Sequence, residues 1–360
     1  MELAQNRGKK KKDKKPLYIL AGFLMFFGVF IYLITRPSDQ SKALKELETS
    51  FNKKDVEMVW YKYKADLYQD EEFLFETRKK LSGLNLSEEE IKECRGWLPI
   101  APTSINLIII PDLSRRIIDT LNNPNQISND IFVLETVWKA FVDFSKLKQD
   151  SKDKLIIDVT DIDQAKGQFG EVANNLQFDL SNHKGKSNRL FFTANKDKQF
   201  ETSITEMYNL AKEKPLGADY RFYLRRYLIN HLKKPTLFDN YINKVIIITD
   251  GYLEAEGRPA DTKIYGFERP LHQAVSIGNT LEVITSKGLN IPKVDIDLSN
   301  SEILVCEVNE RKAGKGFDFE ILKAYWEDWF KRMNVKKVNF IQREQANQLT
   351  AKRVTEFITK

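Results

Sequence analysis

Cysteine and histidine are scarce in this chain, and that scarcity closes several chemical routes. The 360 residues hold two cysteines, Cys94 and Cys306, and three histidines, His183, His231 and His272. Two distant cysteines with no Cys-x-x-Cys spacing make neither a disulfide framework nor a usual thiolate zinc site. Cys306 also lies inside the apolar run 303–308, which reads as a buried strand. The histidines are too scattered to nominate a general base and read as surface or packing residues. A Gly-x-Ser-x-Gly elbow is missing. Gly185-Lys186-Ser187 has the ending of a phosphate-binding loop, but position 180 is leucine where glycine is needed, and no apolar strand leads into it. Basic excess is missing too, once the first sixteen residues are set aside. The net charge is +6, of which the tail through Pro16 supplies +5, leaving 50 basic against 49 acidic residues. A near-neutral body argues against nucleic-acid binding, and the basic tail suits anionic lipid head groups.

What the chain does have begins with an uncharged apolar run, Leu17 to Thr35, close to the ~20 residues that span a bilayer core. Arg7, Lys9, Lys10, Lys11, Lys12, Lys14 and Lys15 precede it, so the positive-inside rule places residues 1–16 in the cytoplasm as a basic tail. The run is long for a signal-peptide core and no Ala-x-Ala-like site closes it, so it reads as an uncleaved signal-anchor. The expectation is a single-pass membrane protein with its main domain extracytoplasmic, periplasmic in a Gram-negative bacterium. Richness in Lys, Ile and Asn agrees with an AT-rich bacterial genome.

Residues 38–98 read as a charged helical spacer. Leu44, Leu47 and Phe51 recur at helical spacing, as do Val56, Val59, Trp60, Tyr63 and Leu67, and Ser87 to Glu90 form a capping box. Gly96 to Pro102 then breaks the pattern. Beyond it, strands are expected at 105–110, 155–159, 190–193, 245–248, 303–308 and 338–341. Helices are expected at 129–148, 204–212, 220–232, 317–333 and from about Glu344. The polar stretch Asp161 to Ser187 reads as a long insertion, either surface decoration or a binding loop. Strands alternating with helices imply a doubly wound, mostly parallel α/β sheet with helices on both faces, over 103–360.

Two apolar runs end in acidic turns. Ile105 to Ile110 leads through Pro111 into Asp112-Leu113-Ser114, and Val245 to Ile248 leads into Thr249-Asp250-Gly251. In a parallel sheet ligands gather at the carboxyl ends of the strands, so Asp112 and Asp250 should meet. The order of these motifs over roughly residues 103 to 345 resembles the von Willebrand factor A (vWA) domain, whose first strand ends in Asp-x-Ser-x-Ser and whose fourth ends in Thr-Asp-Gly or similar. Arg116 stands where that motif has its second serine. In that family the third strand is an antiparallel edge joined to the second by a short hairpin, and the long stretch Asp161 to Ser187 departs from that pattern. The resemblance also implies a metal-ion-dependent adhesion site with oxygen ligands from three loops.

The site admits several readings. In one, Asp112, Ser114, Asp219 and Asp250 bind Mg²⁺ or Ca²⁺, with Asp219 standing roughly where the family has a threonine and Arg116 turned outward. In another the site is metal-free: Arg116 supplies the positive charge and holds Asp112 and Asp250 by charge-assisted hydrogen bonds. A plainer one makes Asp112 and Ser114 a helix N-cap. Asp112-Leu113-Ser114 also lacks the second aspartate that a haloacid-dehalogenase phosphatase would use. Arg221, Arg225 and Arg226 stand out as a local basic group, solvated or paired with acids. The expected function is non-enzymatic: a membrane-anchored module docking a protein partner at the carboxyl end of the sheet, in a membrane-associated complex. The alternatives are a metal-dependent hydrolase or phosphotransferase using Asp112 and Asp250, and an inert membrane scaffold.

Overall fold

The computed structural model describes residues 37–146, 148, 151–161, 167, 169–183, 185–216, 219–236, 238–253, 278–311, 318–343 and 347–360. The expected basic tail and membrane segment lie outside them, as do residues 254–277. Among the described residues no helix is long and apolar enough to cross a membrane. The chain divides after Leu86 into two compact units.

Among its described residues the first unit holds three helices: α1 (Asp39–Glu48), α2 (Lys53–Leu67) and α3 (Glu71–Ser82). Each starts where a short polar side chain takes up an orphan backbone N–H: Ser38 caps α1, Asn52 caps α2 and Asp70 caps α3. Val56, Val59, Trp60, Tyr63 and Leu67 line the buried face of α2, and Trp60 stacks on Phe73 with ring centroids 5.6 Å apart.

The second unit opens with α4 (Glu88–Trp97), whose capping box forms as the sequence expects: Glu90 N–H donates to Ser87 Oγ at 3.3 Å and Ser87 N–H to Glu90 Oε2 at 2.9 Å. Six strands follow: β1 (Thr103–Pro111), β2 (Lys154–Ile157), β3 (Gln177–Asp179), β4 (Asn240–Ile248), β5 (Ser301–Val308) and β6 (Lys337–Gln342). They form one sheet in the order β3-β2-β1-β4-β5-β6, parallel throughout except for the antiparallel edge β3. Strand period sends alternate residues to opposite faces. Ile105, Leu107 and Ile109 of β1 join the core under α5 (Gln126–Lys146), α7 (Lys186–Glu213) and α12 (Asn347–Thr359). Ile108 and Ile110 join the opposite core with Tyr220, Tyr223, Ile284 of α10 (Thr280–Ser286) and the aromatic face of α11 (Asp318–Arg332). Burying each such Ile or Leu contributes roughly 1.5–3 kcal/mol, so two covered faces stabilise the unit far more than strand propensity does.

Polar pairs fix the register at the amino end. Asn106 and Asn243 are directly opposed in the β1–β4 ladder, and Asn106 Nδ2 donates to Asn243 Oδ1 at 2.8 Å. Beside them Lys244 Nζ, buried, lies 3.2 Å from Glu302 Oε2 and donates to the carbonyl of Phe357 on α12 at 2.6 Å. A slip by one residue would turn these groups into apolar surroundings.

The third strand is not where the sequence placed it. Leu190-Phe191-Phe192-Thr193 lies in the long helix α7, with Phe191 exposed, while β3 forms from Gln177 to Asp179. A four-residue apolar run cannot separate strand from helix by itself. Arg189, Thr193, Phe200, Ile204, Met207, Tyr208 and Ala211 are buried at helical spacing along α7, and that longer period prevails. The polar stretch 161–187 is accordingly no mere decoration: Phe169, Val172 and Leu176 around the short α6 (Gly170–Asn175), with Phe178 and Leu180, enter the core. The second and third strands are therefore joined by some twenty residues containing a helix, not by a short hairpin.

Candidate functional site

β1 and β4 are neighbours, yet β1 continues toward β2 on one side and β4 toward β5 on the other. Their carboxyl ends flank the point where strand order reverses, where open α/β sheets leave a crevice. Asp112 N–H extends the ladder to the Ile248 carbonyl at 2.8 Å, placing Asp112 beside the Thr249-Asp250 turn. The two aspartates meet as the sequence expects: burial first, and then the nearby Asp112 carboxylate, raise the Asp250 carboxyl above its ordinary pKa.

Three groups meet Asp112. Its Oδ1 accepts the Ser114 N–H at 3.0 Å, its Oδ2 accepts the Thr249 hydroxyl at 2.8 Å, and Arg116 Nε lies 3.3 Å from Oδ2. Ser114 starts the 3₁₀ turn Arg115–Ile117, its Oγ accepting the Arg116 N–H at 3.4 Å, so the N-cap reading of Ser114 describes part of the geometry. That turn aims Arg116 inward. The buried guanidinium bonds Asp130 Oδ2 at 2.7 Å and the Ile248 carbonyl at 3.0 Å. Asp130, in the first turns of α5, also accepts from Gln126 Nε2 at 2.6 Å and from Tyr208 of α7 at 3.0 Å. Burial opposes the Arg116 charge, but Asp130 and then Asp112 outweigh it and hold the guanidinium protonated well above its ordinary range. Asp130 is pushed up by burial despite Arg116.

Asp250 is framed differently. Its Oδ1 accepts the Tyr252 N–H at 3.2 Å, while Oδ2 accepts from Asn123 at 3.3 Å and lies 3.4 Å from Arg311 Nη2. Arg311 is partly exposed and stacks on the Tyr252 ring at 4.1 Å. Gly251 carries φ +94°, and a Cβ there would stand 3.0 Å from Val308 Cγ1, so the turn requires glycine.

Asp219 serves elsewhere. It caps α8 (Tyr220–Tyr223), accepting the Phe222 N–H at 2.9 Å, and no hydrogen bond or ion pair among the described residues joins it to Asp112, Ser114 or Asp250. The adjacent Tyr220 does approach: burial first, then the Asp112 charge, raise its phenol, and its buried hydroxyl has no hydrogen-bond partner among the described residues. The helix continues through a π turn, Leu224–Leu228, into α9 (Ile229–His231).

Among the described residues no group of three or more His, Cys, Asp or Glu side chains is arranged to hold a metal ion. A hard cation needs several oxygen lone pairs in an octahedral or larger shell. Asp112 already accepts the Ser114 N–H and the Thr249 hydroxyl and lies beside the Arg116 cation, so a divalent ion here would have to displace the guanidinium.

Sequence reasoning missed Asp130, Tyr208, Tyr220, Asn123 and Arg311. Asp130 left a signal: with Val133, Leu134 and Val137 it sits at i, i+3, i+4 and i+7 on the buried face of α5. A carboxylate on such a face demands a cation, and Arg116 is the nearby candidate. Arg311 left none, since it reaches Asp250 from the turn after β5, some sixty residues on in the chain. No protein-family model and no curated protein matches the chain.

Proposed function

We propose that this chain is a membrane-anchored protein-interaction module of the vWA type in which the Arg116 guanidinium stands in place of the adhesion-site metal ion. It docks a protein partner at the carboxyl end of the sheet and helps assemble or anchor a membrane-associated complex. The strand order with its antiparallel edge supports the kinship, as does the Asp112–Asp250 crevice. One observation carries the reading: Arg116 sits between Asp112 and Asp130, so a cation of the chain itself already occupies the acidic end of the sheet. A carboxylate held this way neither binds a divalent ion nor serves as a free base. The rim of the same loop presents Ile118 and Leu121 to solvent, apolar residues suited to the centre of a docking patch. With residues 17–35 as signal-anchor, this face lies outside the cytoplasm.

The test uses the full chain in lipid nanodiscs. Calorimetric titration with Mg²⁺, Mn²⁺ and Ca²⁺ should give no heat that Asp250→Ala abolishes. Photo-crosslinkers placed at 118 and 121 in native membranes should trap one defined protein, and Leu121→Asp should release it. Divalent-dependent turnover of phosphoester or peptide substrates, lost in Asp112→Ala, would replace the docking reading with the hydrolase.

A further inference from the structure

β6 ends the sheet, and among the described residues no strand lies beyond it. The opposite edge, β3, is three residues long, and shortness protects an edge from foreign pairing. β6 runs for six residues and lacks that protection. In a parallel ladder alternate residues bond the neighbouring strand, and those between them turn N–H and C=O away. Lys336 N–H donates to the Ser301 carbonyl at 3.0 Å, so Val338 and Phe340 continue toward β5 while Lys337 and Asn339 present their backbone groups on the free edge. Among the described residues no loop or helix backbone bonds them there. A cavity flanks the edge on each face. On one, Val338 and Phe340 meet Phe319 and Lys323 of α11 around a space of about 430 Å³. On the other, Lys337 and Ile341 meet Phe357 of α12 around about 300 Å³, and Arg353 borders both.

We propose that β6 accepts an extended, acidic segment of a partner protein as an added strand. This edge lies two strands from β4, and the proposal rests neither on the crevice as a docking site nor on the anchor. In such additions backbone pairing supplies the affinity, and side chains that alternate between two cavities supply the choice. Charge selects the occupant. Four basic residues, Lys323, Lys337, Arg353 and Lys360, border the cavities against two acidic ones. Glu327 lies 3.8 Å from Lys323 and Glu356 lies 3.6 Å from Lys360, so Lys337 and Arg353 give the edge its excess positive charge. A second copy pairing through its own β6 would bring the same cations to the same edge, and like charges across a strand pair destabilise it. Carboxylates on an incoming strand meet those cations favourably.

The experiment pans the full chain in lipid nanodiscs against phage displaying random twelve-residue peptides. Enriched sequences should be net acidic with no central proline, and a synthetic peptide of that set should slow amide exchange at Lys337 and Asn339 by about tenfold or more. Asn339→Pro removes only an outward N–H, which an edge strand tolerates. Its thermal midpoint should match wild type while peptide affinity falls by about tenfold or more. Lys337→Glu, at an exposed position, should also weaken the acidic peptide, and it decides the matter if the proline disturbs β6. Enrichment of neutral or basic peptides, or of none, would overturn the proposal, as would affinity that survives both variants. Binding lost in Leu121→Asp would return the peptide to the crevice and overturn it as well. A dimer that dissociates on dilution and is lost in Asn339→Pro would assign the edge to a second copy instead.

Discussion

Arg116 and Asp130 meet at 2.7 Å with both side chains sealed from solvent, joining the turn after the first strand to the helix that covers it. Buried pairs of this kind are costly to break, because removing one member strands the other's charge. Asp130→Ala should therefore destabilise the second unit by about 3–5 kcal/mol, read as a shift in urea midpoint. The double variant Arg116→Met, Asp130→Leu should recover most of that loss. If Asp130→Ala unfolds at the wild-type midpoint, the pair carries no structural role.

The Asp250 carboxyl titrates above its ordinary value because burial, and then the Asp112 charge, disfavour its ionised form. A raised acid binds its proton more tightly folded than unfolded, so its contribution to stability is complete below the unfolded pKa and is lost as pH rises through the folded one. Carboxyl-carbon NMR should place the Asp250 midpoint above the ordinary aspartate value, and Asp112→Asn should move it down by removing the like charge. An unchanged midpoint in that variant would separate the two aspartates electrically.

Gly251→Ala forces a Cβ to 3.0 Å from Val308 Cγ1 and 3.2 Å from Leu322 Cδ1, at φ +94°. Strain of this kind costs of order 1–3 kcal/mol. The thermal midpoint should drop accordingly, and a midpoint equal to wild type would mean the turn relaxes without penalty.

Tyr220→Phe removes a buried hydroxyl that has no hydrogen-bond partner among the described residues. Stability should stay within about 1 kcal/mol of wild type or rise, since an unpaired buried polar group is a cost. A larger loss would reveal a partner for the hydroxyl, such as an ordered water shared with Asp112.

Much of the architecture was legible because the signals were long. Ile105–Ile110 and Val245–Ile248 are too apolar for anything but central strands, and α5 and α11 carry helical stripes over many turns. The edge was illegible for the opposite reason. β3 is three residues long inside a polar stretch, and it is held by backbone pairing to β2 rather than by a pattern of its own. In the site, Asp112 and Asp250 were visible as strand-end carboxylates. Asp219 drew attention by standing roughly where the family has a threonine, and its carboxylate caps a helix instead. Arg116 was ambiguous because sequence gives no direction to a side chain; the 3₁₀ turn started by Ser114 supplies that direction.

The lysine that ties the sheet to the last helix also sets an order of events. β1 finds β2 early, but its other edge waits for β4, with Asn106 facing a partner 137 positions later, and Lys244 waits a further 113 for the Phe357 carbonyl. Pairings so distant are slow to close. A growing chain must therefore hold one edge of its most apolar strand open until β4 has emerged, and a holdase would meet that edge of β1 long before β4 does.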